Sequence, residues 1–76
     1  MSDSLPVISG QRAVRAFQRA GFRVVPRRGK GSHIVLVRDE PWSMLTIPDH
    51  KELKRGLVRA LIRQSGLSVA EFVKLL

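Results

Sequence analysis

SHIVLVRDEPWSMLTIP, residues 32–48, holds two apolar runs on either side of a short polar break. Ser32 to Arg38 reads as a strand, Asp39-Glu40-Pro41 supplies turn chemistry, and Trp42 to Ile47 reads as the next strand, stopped by Pro48. Strand alternation sends Ser32, Ile34 and Leu36 to one side and His33, Val35 and Val37 to the other. With Ile34 and Leu36 filling a core, His33 faces outward.

Upstream, Phe22 to about Arg28 is predicted as a further strand, because Val24 and Val25 are β-branched and arginines alternate around them. Pro26 can donate no ladder hydrogen bond, which favours an edge or a bulge. A tight connection follows at Gly29-Lys30-Gly31, so the three strands form an antiparallel meander.

Helices flank the meander. Ser9 suits an N-cap and Gly21 the left-handed residue that ends a helix, giving a first helix over roughly Gly10 to Ala20. Its Ala13, Val14, Phe17 and Ala20 share one side, while Arg12, Arg15 and Arg19 form an opposite stripe that reads as a solvated face. After the third strand, Asp49 and Glu52 have the spacing of a capping box. Leu53, Leu57, Ala60, Leu61 and Gln64 share a helical face, widened by Val58 and Ile62. Gly56 costs a helix about 1 kcal/mol relative to alanine. A turn over Asp49 to Lys54 is therefore expected, with the main helix from near Gly56 to Ser65 and Gly66 ending it. Ser68 and Glu71 form a second capping box, opening a last helix whose Val69, Phe72, Val73 and Leu76 close over the core. The expected class is α+β, in the order α-β-β-β-α(α). Helices cover one face of a three-stranded antiparallel sheet, and the other face stays open to solvent or a partner.

Size limits what else is possible. At 76 residues, the chain is expected to be one domain spanning 1–76. A domain this small buries only about 60% of the surface its unfolded chain exposes. The absence of cysteine excludes disulfides and thiolate metal sites, and two histidines alone make a poor zinc site, so no metal or cofactor is expected. The start MSDSLPVIS lacks the pattern of a secretory signal, and no apolar stretch approaches the about 20 residues that span a bilayer. The cytoplasm is the default location, with no membrane partner.

Charge points to the partner. Fourteen Lys and Arg against six Asp and Glu leave +8 on a small surface, a field that attracts polyanions: nucleic acid, an acidic membrane face or an acidic protein. Ten of the fourteen are arginines, whose planar guanidinium grips two phosphate oxygens at once.

Those cations crowd one segment. Arg27, Arg28 and Lys30 precede His33, and Gly29 and Gly31 bare the backbone so that an anionic strand can approach main-chain amides. An imidazole takes up and returns a proton near neutral pH. This combination suits cleavage of RNA. There the 2′-hydroxyl is the built-in nucleophile, a base removes its proton, an acid protonates the leaving oxygen, and cations stabilise the charge on the phosphoryl oxygens. DNA lacks that hydroxyl. The competing reading makes His33 an ordinary surface residue of a basic hairpin. Gly-Lys-Gly-Ser also falls short of a P-loop, since a strand rather than a helix follows it. His50 has the makings of a second proton-transfer group, although a loop histidine that caps or positions the following helix is the favoured reading. Trp42 is a residue either for base stacking or for anchoring the sheet edge.

The chain also resembles the HicA-type toxins of bacterial toxin and antitoxin pairs, also met as YcfA-like proteins. The resemblance rests on Leu5-Pro6-Val7-Ile8-Ser9-Gly10, Ala20-Gly21-Phe22, Gly31-Ser32-His33, Thr46-Ile47-Pro48-Asp49-His50, and Arg63-Gln64-Ser65-Gly66-Leu67-Ser68 followed by Glu71-Phe72, in that order and spacing. The chain departs from many relatives at Gly29 and Leu57. The resemblance implies a fold similar to the double-stranded RNA-binding domain and a metal-independent endoribonuclease acting on mRNA. It places catalysis on His33, the histidine of the Gly-Ser-His motif, and implies a HicB-type antitoxin that blocks the site. Arg27, Arg28, Lys30, Gly31 and Ser32 are the expected RNA-binding residues around it. A non-catalytic RNA-binding module of the same fold type is the alternative.

Overall fold

The computed structural model describes residues 5–26 and 31–76. In chain order the elements are α1 (Gly10–Arg19), β1 (Arg23–Val25), β2 (His33–Asp39), β3 (Trp42–Pro48), α2 (Arg55–Ser65) and α3 (Val69–Lys74). The strands form one antiparallel sheet in the order β1-β2-β3, so the α+β meander expected from the alternation is what the chain adopts.

The register explains the layering. Leu36 of β2 pairs with Leu45 of β3, and Ile34 pairs with Ile47. Directly opposed residues share a face. Leu36, Leu45 and Ile47 are fully buried there, against Ala13, Val14 and Phe17 of α1, Val58, Leu61 and Ile62 of α2, and Phe72 of α3. Phe17 is the hub: its ring centroid lies 5.7 Å from that of Phe22, edge-on, and 4.9 Å from that of Phe72. Burying each such ring stabilises the fold by about 1.5–3 kcal/mol. At the sheet end Arg38 stacks 4.6 Å above Phe22, and its Nε donates to the Pro41 carbonyl, so a cation can occupy a core-side position while its head stays wet.

Several boundaries differ from the sequence reading, each for a local reason. β1 stops at Val25, because Pro26 stands in a turn and has no amide for the ladder, while the expected extension over Arg27 and Arg28 lies outside the described residues. Asp49 and Glu52 form no capping box: the Asp49 carboxylate accepts from Gln11 Nε2 at 3.1 Å, and no helix starts there. α2 instead begins at Arg55, with Lys54 as an N-cap whose side chain makes no capping bond. Its buried stripe runs Val58, Leu61, Ile62 and Ser65, with Leu57 and Ala60 half-buried and Gln64 exposed. Ser65 tolerates burial because its hydroxyl donates to the Ile62 carbonyl and accepts from the Leu67 amide. Ser68 and Glu71 do form the reciprocal capping box. α3 has only six residues, so Phe72 turns fully inward while Val73 stays exposed.

Candidate functional site

The face of the sheet away from the helices carries the odd residues of β2. His33 is exposed there, Val35 and Val37 are half-buried, and Asp39 lies at the far end. Their partners across the ladders are Pro48, Thr46, Met44 and Trp42 on β3, with Val25 and Arg23 on β1. This face therefore grades along its length. At one end sit His33 and Pro48. In the middle Val25, Val35, Val37 and Met44 line an apolar hollow of about 480 Å³. At the other end Arg23 pairs with Asp39 at 2.8 Å in full solvent, an ion pair of little energetic weight. Trp42 does not anchor the edge: it is 61% exposed, and Met44 beside the hollow is 55% exposed.

At the His33 end, three segments distant in sequence are tied together by backbone. The Asp49 amide donates to the Ser32 carbonyl at 2.7 Å, extending the β2–β3 ladder one step into the turn. The Gly10 amide, at the N-terminus of α1, donates to the His50 carbonyl at 2.8 Å, and the Leu53 amide donates to Ile8 at 2.8 Å. Only glycine fits at position 10, because a Cβ there would overlap the Pro48 carbonyl oxygen. On the other side of His33, Gly31 adopts a φ of +67°, the left-handed region that side chains disfavour. The start of β2 is thus held between a glycine-permitted turn and a pinned loop.

Beyond Pro48 lies a cleft of about 250 Å³, lined by Pro48, His50, Glu52, Leu53, Lys54 and Leu57. His50 does not cap the helix that follows it. Its carbonyl instead anchors α1, and the residue lines this cleft.

Of the residues expected to bind RNA, Gly31 and Ser32 are exposed beside His33. Arg27, Arg28 and Lys30 lie outside the described residues. The arginine stripe of α1 is exposed as expected, with Arg19 additionally donating to the Leu75 carbonyl at 2.7 Å. Sequence reading missed Lys54 as a cation at the cleft and Gln11 as the side chain that holds Asp49. Nothing local signals Gln11, since its partner is 38 residues away. The Asp-His-Lys-Glu-Leu-Lys run signals Lys54 only once the loop's path is known.

Among the described residues, no helix is long and apolar enough to cross a membrane. The family described as the HicA toxin of bacterial toxin-antitoxin matches the chain over residues 10–67, which takes in the site and every helix and strand but α3. No curated protein matches it.

Proposed function

Since the chain belongs to the HicA toxin family, and is by that membership the toxin of a bacterial toxin-antitoxin pair, we propose that it acts as an endoribonuclease cleaving mRNA, with His33 as its catalytic residue. The observation that carries this reading is the exposure of His33 at the start of β2, two residues after Gly31, which takes a left-handed backbone. Gly31 and Ser32 beside it are exposed too, and among the described residues nothing lies within 4 Å of a Cβ placed on Gly31, which supports an approach of RNA from that side.

In the proposed reaction an imidazole accepts the 2′-hydroxyl proton, or returns a proton to the leaving oxygen. The O2′–P bond forms as the P–O5′ bond breaks, leaving a 2′,3′-cyclic phosphate and a 5′-hydroxyl. Arg27, Arg28 and Lys30 hold the phosphate and neutralise the developing charge, while Gly31 and Ser32 shape its approach. The chemistry needs no metal or cofactor, so it persists in EDTA. The partner is a HicB-type antitoxin in the cytoplasm, and the apolar hollow beside His33 supports that assignment. A protein seated over Val35, Val37 and Met44 would also cover the histidine, which lies on the same face of β2.

The test is induction in a host lacking the cognate antitoxin. The unaltered chain arrests growth, co-expression of the antitoxin restores it, and the His33→Ala chain grows normally while still capturing antitoxin. Growth arrest of equal strength by His33→Ala overturns the assignment.

A further inference from the structure

Cleavage by this route needs two proton-transfer groups, a base for the 2′-hydroxyl and an acid for the leaving oxygen. We propose that His50 is the second of them, working with His33 across Pro48; the inference rests on the ribonuclease reading above.

Three observations carry it. First, the two histidines flank the same residue. Pro48 is the direct cross-strand partner of His33, and it lines the cleft that His50 also lines. Opposed Cα atoms lie about 5 Å apart, and two residues of chain reach at most about 7 Å. The Cα atoms of His33 and His50 are therefore within about 12 Å, close enough for two side chains to reach one phosphodiester lying over Pro48. Second, the structural work expected of His50 is done elsewhere. α1 is capped by Ser9 and α2 starts at Lys54 without a side-chain cap, so the His50 imidazole caps neither. Among the described residues it has no hydrogen-bond partner. Third, its backbone is fixed as a reacting group requires. The His50 carbonyl accepts from Gly10, and the preceding amide is bound to Ser32, the residue next to His33. Such ties hold reacting groups in register with one another.

Other titratable groups nearby fit worse. Asp49 is held by Gln11. Lys54 lines the cleft as a cation, suited to stabilising phosphoryl charge rather than to taking a proton. Glu52 also lines it and is the competitor that the experiment must separate.

The balance of the step is simple. One imidazole takes the 2′-hydroxyl proton as O2′ attacks phosphorus, and the other, as imidazolium, gives its proton to O5′ as the P–O5′ bond breaks. The site ends with the two protonation states exchanged, and water restores them.

The experiment compares two substrates, an RNA cut at a mapped bond and the same RNA with a bridging 5′-sulfur at that bond. Sulfur leaves as a thiolate and needs no acid. His33→Ala and His50→Ala are each expected to cut the ordinary RNA at least about 100-fold more slowly than the unaltered chain. One of the two, whichever has lost the acid, cuts the sulfur substrate at close to the unaltered rate, and that rescue also shows the variant to be folded. Glu52→Gln keeps cleaving ordinary RNA. The proposal is overturned if His50→Ala cuts ordinary RNA at the unaltered rate, if neither histidine variant is rescued by sulfur, or if Glu52→Gln rather than His50→Ala behaves as the acid-deficient enzyme. An unaltered chain that cuts no RNA at all would instead defeat the ribonuclease reading itself.

Discussion

His33 owes its position to residues with no chemistry of their own. Gly10 lets the first turn of α1 press against the Pro48 carbonyl, and that contact holds the loop whose Asp49 amide binds Ser32. Gly10→Ala places a methyl group where backbone already sits, so α1 or the loop must move. Overpacking of this kind costs about 1–3 kcal/mol. The expected result is a lower urea midpoint with an unchanged m-value, together with slower RNA cleavage because the start of β2 shifts. An unchanged midpoint would show that the contact yields without cost. By contrast, among the described residues nothing crowds Gly31, where the left-handed backbone disfavours a side chain.

At the scale of elements, α3 shows how little local structure is needed when the core does the rest. The Ser68 and Glu71 box satisfies its first amides, and Phe72 inserts against Phe17. Ser68→Ala should cost about 1 kcal/mol, whereas Phe72→Ala should cost about 3–5 kcal/mol, both read from denaturation midpoints. Equal losses would mean that α3 is held by its cap rather than by its ring. This box was legible in the sequence because its partners are three residues apart. Asp49 and Glu52 have the same spacing and no helix, because Gln11 and Ser32, both distant in the chain, bind the side chain and amide of Asp49 first. The outward face of His33 was legible from the two-residue period of β2. The stripe of α2 came out shifted toward Val58, Ile62 and Ser65, since Ser65 can satisfy its hydroxyl inside the helix while Gln64 keeps its amide in water. What no local pattern carries is the meeting of Gly10, Ser32 and His50 at one end of the sheet. That meeting turns a loop histidine into a candidate for catalysis.

For the whole molecule, the proposed function rests on a net charge of +8, which would attract RNA, and on an apolar hollow on the face that carries His33, where the proposed antitoxin would dock. RNA binding by the His33→Ala chain should fall with salt at a log–log slope of about −3, corresponding to roughly four single-strand phosphates. A flat dependence would mean that phosphate contacts do not drive binding. A simple RNA-binding module would show the same slope, so affinity alone does not separate it from a nuclease. The separating measurement is on the products. An end-labelled mRNA is incubated in EDTA with the unaltered chain and with His33→Ala, and the new termini are mapped. The account predicts fragments ending in 2′,3′-cyclic phosphate from the unaltered chain and full-length RNA from the variant. Intact RNA from both, or equal cleavage by both, would contradict it.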